Sequence, residues 1–152
     1  MPNTLTHYFL AVIYIMLRLV PTIHACISVG RSDFTKAIEV LQSAAPYEFG
    51  QPGNGALSLG LYPVYLRGEA QLAAHQGNEA AAEFQKILAH RGIVVNQPIG
   101  ALAHLGLGRA YVLQGDTAKA KAAYQDFLTL WKDADPDIPI LIAAKAEYAR
   151  LH

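Results

Sequence analysis

Apolar residues recur at spacings of three and four along most of the chain, the period of a helix that buries one face. Between residues 101 and 134, Leu107, Ala110 and Tyr111 form one stripe, and Ala120, Ala123, Tyr124, Phe127 and Leu128 form another. Gly115 and Asp116 lie between them. A glycine past the end of a helix can take the left-handed conformation that closes the last carbonyls, and the aspartate after it can cap the next helix. The pattern therefore predicts a helical hairpin, with the small residues Gly108, Ala110 and Ala120 where the two backbones approach. One hairpin cannot bury its own apolar faces, so copies are required. Sliding the chain against itself by forty residues places Gly68 on Gly108, Ala70 on Ala110, Ala80 on Ala120, Phe84 on Tyr124, and Ile87-Leu88 on Phe127-Leu128. A looser copy places Ala37 on Ala80, Leu41 on Phe84 and Ala44 on Ile87, with Gly30 near the hairpin turn.

The remaining elements follow from caps and breakers. Pro21 is expected to begin or kink a helix running to Val29, because proline lacks a donor and clashes with the preceding turn. Asp33 is the expected cap of a helix carrying Ala37, Ile38, Leu41 and Ala44, and Pro46 stops it. The turn-rich stretch 46–55 lacks the Gly-Lys-Ser/Thr ending and preceding strand of a phosphate loop, so it reads as a connection. Helices are expected from Leu59 to His75 and from Asn78 to His90. Asn96 is the expected cap of the next helix, with Pro98 in its first turn. Asp137 is expected to cap a final helix whose stripe is Leu141, Ala144, Tyr148 and Leu151, opposite Lys145 and Arg150. The fold class is all-α: antiparallel hairpins stacked as a short solenoid over residues 21–151, preceded by an apolar N-terminal helix over residues 1–20.

The run Leu105-Gly106-Leu107-Gly108, Ala110-Tyr111, Gly115-Asp116, Ala120 and Tyr124 resembles the tetratricopeptide repeat (TPR) family. The resemblance covers roughly Pro21 to Ala134, about three hairpins followed by a capping helix. His104 stands where the family often has tryptophan, and Gln71 replaces the tyrosine seen at Tyr111. The family implies that the first helix of each hairpin lines a concave inner side. On that side fall Tyr62, Tyr65, Glu69 and Leu72 in the middle repeat, and Leu102, Leu105, Arg109 and Val112 in the last. Glu69 and Arg109 are equivalent under the forty-residue shift and should stand on adjacent helices. Arg109 is expected to be free to meet a partner's carboxylate, and its loss to leave stability nearly unchanged. Another reading packs Tyr62 and Tyr65 under the long Tyr47–Gly55 loop. The Lys and Asn set with which some members hold chaperone C-termini is not present at the matching positions.

Composition narrows the possibilities. The chain has 152 residues, 53% apolar and 16% charged, in keeping with a packed globule. Lys plus Arg balances Asp plus Glu at twelve each, so no net field draws the chain to nucleic acid. The single Cys26 excludes an intramolecular disulfide and leaves the compartment open among cytoplasm, membrane association and export. Cys26 reads as a buried structural thiol. Tyr8 to Val20 is apolar apart from Arg18, about 13 residues against the roughly 18 or more of a spanning helix. Three readings of this stretch stay open: a helix packed on the array, a membrane anchor or signal, and the atypical start of a longer chain.

No catalytic constellation emerges. The histidines do not pair at three or four spacing for a metal, His90-Arg91-Gly92 lacks the aspartate of a kinase catalytic loop, and no serine sits in a Gly-x-Ser-x-Gly elbow. The expectation is a non-enzymatic interaction module, without cofactor or metal, that binds a protein or peptide segment in its groove. In an alternative, Tyr65 to Leu151 with Ala44-Ala45-Pro46-Tyr47-Glu48 resembles the TPR region that follows the catalytic domain of large bacterial serine/threonine protein kinases and related winged-helix regulators. That resemblance implies a signalling chain's sensor or docking region.

Overall fold

The computed structural model describes residues 4–49 and 60–151, and over them the chain is all-helical. Its helices are α1 (Thr4–Gly30), α2 (Phe34–Gln42), α3 (Tyr62–Ala73), α4 (Gly77–Ala89), the single turn α5 (Arg91–Val94), α6 (Ile99–Leu113), α7 (Thr117–Leu130) and α8 (Pro139–Ala149). A 3-10 turn, Ala45–Tyr47, follows α2 and holds Pro46. The pairs α1/α2, α3/α4 and α6/α7 are helical hairpins, and each hairpin packs on the next. Most of the 46–55 connection lies outside the described residues, including any cover it gives Tyr62 and Tyr65.

One turn, used three times, makes these hairpins. Ser32, His75 and Gly115 have φ of 60°, 58° and 75°. In each case that residue's N–H donates three residues back, to Val29, Leu72 or Val112, and the next N–H donates five back, to Ser28, Gln71 or Tyr111. This closes the last carbonyls of the first helix while turning the chain. Asp33 and Asp116 then cap the second helix, accepting from the backbone N–H of Lys36 and Lys119 at 3.0 Å. The left-handed residue of the first turn is Ser32, two positions past Gly30.

Small residues set the spacing between helices. A Cβ at Gly108 would stand 2.8 Å from the Tyr124 ring, and one at Gly68 would stand 2.8 Å from the Phe84 ring, so the same contact recurs in both hairpins. Phe84 is also clamped from the following hairpin, where a Cβ at Gly106 would meet its ring at 2.5 Å. Around Phe84 the core gathers Leu61, Val64, Ile87, Ile99, Ala103 and Ala110. A second cluster joins Leu105, Tyr124 and Phe127 to Leu141 and Ala144 of α8, and a third joins Ala25, Ala37, Leu41 and Ala70.

Four expectations need correction. Of the two courses expected at Pro21, beginning a helix or kinking one, the first does not occur: α1 runs from Thr4 to Gly30 with Pro21 inside it. The Thr22 hydroxyl donates to the Arg18 carbonyl at 2.6 Å, one position from the carbonyl that Pro21 cannot serve. Asn96 and Asp137 do not cap: α6 starts after Pro98 and α8 after Ile138, neither with a side-chain cap. Cys26 is exposed, because the buried face of α1 runs through Arg18, Thr22 and Ala25.

The deepest charge is Arg67, 1% exposed at the position equivalent to the apolar Leu107. Its guanidinium donates to Glu48 and Glu83 at 2.6 Å each and to the Leu41 carbonyl at 3.2 Å. Lys86 lies 3.0 Å from Glu83 and 3.5 Å from Glu48, so two cations and two carboxylates alternate. Burial disfavours the charged guanidinium, but its bonds to Glu83 and Glu48 outweigh that and raise its pKa.

Three substitutions should change stability. His75→Gly, which relieves a left-handed side-chain-bearing residue, should raise unfolding free energy by about 0.5–1 kcal/mol, and Gly115→Ala should lower it by about 1 kcal/mol. Urea midpoints moving in the same direction would contradict the shared turn. Arg67→Met leaves the buried Glu48 and the part-buried Glu83 with Lys86 as their shared remaining cation and should cost roughly 3 kcal/mol in the same titration.

Candidate functional site

The inner faces of α3 and α6 and the end of α8 enclose a hollow of about 550 Å³, lined by Glu69, Leu72, Arg109, Val112, Glu147 and Leu151 among others. Helical spacing produces this arrangement. Glu69 and Leu72 share a face of α3, Arg109 and Val112 share a face of α6, and repeat register sets the two faces side by side. Four of the eight residues expected on the concave side therefore meet in one space.

The other four do not. Leu105 is 1% exposed and cannot serve as a groove contact, because α8 covers it with Leu141 and Ala144. Leu102 packs at the edge of that same cluster. Tyr62 and Tyr65 lean on the Phe84 core, with the rings of Tyr65 and Phe84 edge to face at 5.9 Å. The final helix covers the last hairpin's apolar surface and also closes part of the inner side.

Arg109 is not free. Its Nε and one terminal nitrogen donate to the two carboxylate oxygens of Glu147, each at 2.9 Å, a planar two-point pairing between α6 and α8. The Tyr124 hydroxyl donates to the same carboxylate at 2.8 Å. Partial burial opposes the Glu147 charge, but the bonds from Arg109 and Tyr124 prevail and hold its carboxyl below the usual range. Arg109 is raised in turn, its pairing with Glu147 overcoming desolvation.

Glu69 has the opposite character. Desolvation raises its pKa above the ordinary carboxylate value, and the nearby Glu147 charge adds to this, while Arg109 and the Tyr65 hydroxyl act against it. Its Oε1 is buried without a hydrogen-bond partner. Tyr65 is driven up by burial and by the Glu69 charge beside it, so it remains a neutral donor at physiological pH. The hollow thus presents an acid with one oxygen unpartnered beside an arginine already paired with Glu147, with Arg150 also on the lining and Leu72 and Val112 as apolar walls.

Sequence reasoning missed Glu147 and the Arg67 group. Glu147 sits on a helix whose polar residues read as solvated, and periodicity carries no sign of a contact with Arg109. Arg67 did leave a signal, since a charge in the register of Leu107 requires buried carboxylates. A second depression, of about 770 Å³, lies between α5, α6 and α7, where His104 Nδ1 stands 3.4 Å from Asp126. Among the described residues no three His, Cys, Asp or Glu side chains converge as metal ligands, and no helix is long and apolar enough to cross a membrane.

No family model, curated protein or solved structure matches the chain.

The ionic contacts predict opposite effects for two substitutions. Arg109→Ala should lower stability by about 1–2 kcal/mol at neutral pH, because these charge-assisted bonds are only partly screened by solvent. Since Glu147 has a depressed pKa, that loss should shrink as pH falls through its folded-state pKa. Glu69, with its raised pKa, penalises the fold when ionised. Glu69→Gln should therefore be more stable than the native chain at pH 7, with the gap closing below the ordinary glutamate pKa. Denaturant midpoints across pH 3–8 check both signs.

Proposed function

We propose that the chain is a non-catalytic helical-repeat interaction module of the tetratricopeptide kind, and that it takes a partner's polypeptide segment in the hollow between α3, α6 and α8. The observation that carries this reading is Glu69. A carboxylate with a buried, unpartnered oxygen at the wall of an open apolar hollow is an incomplete hydrogen-bond set, and an incoming donor completes it. The pairing of Arg109 with Glu147 turns the preference round relative to the sequence expectation. With that guanidinium engaged and Arg150 also on the lining, two acids and two arginines meet there, and the unmet position among them is the Glu69 oxygen, so the segment that fits brings a lysine or arginine donor to Glu69 with apolar neighbours against Leu72 and Val112.

The fold supports a docking role in a second way. The hollow is built on helix faces held by the Phe84 core and the Arg109–Glu147 pairing, and walls formed before a segment arrives reduce the ordering cost of binding.

A positional-scanning peptide library passed over the immobilised chain tests the reading. Enrichment should centre on one lysine or arginine flanked by apolar residues. Glu69→Gln should weaken capture of the selected peptides at least tenfold, about 1.4 kcal/mol or more. Absence of enrichment, or enrichment that survives Glu69→Gln undiminished, would remove the hollow from consideration.

A further inference from the structure

The outer face of α1 is apolar along most of its length. Phe9, Ile13, Met16, Val20, Ile23 and Ile27 lie on it at successive spacings of four, three, four, three and four residues. All six are exposed, from 39% at Ile13 to 67% at Phe9, and Val12 and Leu17 flank them at 53% and 38%. The opposite face, through Arg18, Thr22, Ala25 and Val29, holds the helix on the body, and the Arg18 guanidinium donates to the Gly60 carbonyl. One helix therefore carries two faces, of which the outer has no cover among the described residues.

The spacing of that face points to the kind of partner. Alternating threes and fours keep a mean period of 3.5 residues, the repeat that holds a seam against another helix as the two supercoil. The positions divide into Ile13, Val20 and Ile27, all β-branched, and Phe9, Met16 and Ile23. The eight side chains leave on the order of 700 Å² open, beyond the few hundred Å² of an ordinary monomer's apolar patch and close to the ~800 Å² that each partner brings to a standard interface.

Two further features select a second copy. In a helical pair the positions beside the seam choose the partner through their charges. In α1 these positions include Val12, Leu17, Leu19, His24 and Cys26, and no Lys, Arg, Asp or Glu discriminates against an identical helix. A helix lying on a lipid surface needs a polar face rich in Lys and Arg. The only such residue between Thr4 and Gly30 is Arg18, 3% exposed and turned to the body. We infer that α1 pairs with α1 of a second chain through the Phe9–Ile27 seam, making the protein a homodimer whose two hollows stay open.

Sedimentation equilibrium of the full chain, from micromolar to near-millimolar concentration, tests this. The native protein should have the mass of a dimer. Met16→Glu combined with Val20→Glu should raise the dissociation constant at least a hundredfold while far-UV circular dichroism keeps the native helical signal. Ile142→Glu, on an exposed position of α8, should leave the dimer intact. A native chain that stays monomeric throughout overturns the inference whatever the variants do. So does a dimer that survives the double substitution or is broken by Ile142→Glu, and so does a monomer that co-sediments with phosphatidylcholine vesicles.

Discussion

The fold depends on neutralising one charge. Arg67 sits on α3 among side chains of the core, and a guanidinium there is tolerable only with carboxylates at hydrogen-bond distance. Glu83 comes from the second helix of the same hairpin and Glu48 from the segment after α2. Satisfying Arg67 therefore requires the first and second hairpins to sit in a single register. Apolar contact between alanine-rich helices tolerates sliding, since small side chains interlock weakly, whereas a guanidinium with two fixed acceptors and a backbone carbonyl does not. The middle hairpin is consequently the reference part of the structure, with α1/α2 positioned by ions and α6/α7 by the Phe84 ring.

The two junctions differ in kind. Between α4 and α6 the contact is steric: Phe84 fills the space opposite Gly68 and Gly106, and any added methyl group meets the ring. At α8 it is of both kinds, with Leu141 and Ala144 packed on Leu105 and with Arg109, Tyr124 and Glu147 closing the end. A chain with balanced charge and few charged residues places several of them inside, where each fixes a geometry that its many alanines cannot.

The hairpins were legible because their determinants are local. Gly115 and Asp116 announce a turn, the Asp33 cap works through a neighbour three residues on, and the forty-residue shift places Gly68 and Gly108 under equivalent rings. The hollow was legible in part for the same reason: Glu69, Leu72, Arg109 and Val112 follow from register. What register could not reveal was competition for those residues. Glu147 is thirty-eight residues beyond Arg109, on a helix whose docking angle depends on Leu141 and Ala144 reaching Leu105. Periodicity predicts which face of a helix is apolar, but not which neighbour occupies it. Cys26 was misread similarly, since both faces of α1 are apolar enough in sequence for either to be the inner one.

The placement of α8 bears on growth of the array. Stacked hairpins are head-to-tail structures, and a head-to-tail contact that does not close on itself propagates without limit. Leu105, Tyr124 and Phe127 form the tail surface onto which another hairpin would add, and α8 occupies it with Leu141 and Ala144. The pairing of Glu147 with Arg109 fixes that occupant in place, so among the described residues this surface is filled by the chain's own helix rather than offered to a further hairpin.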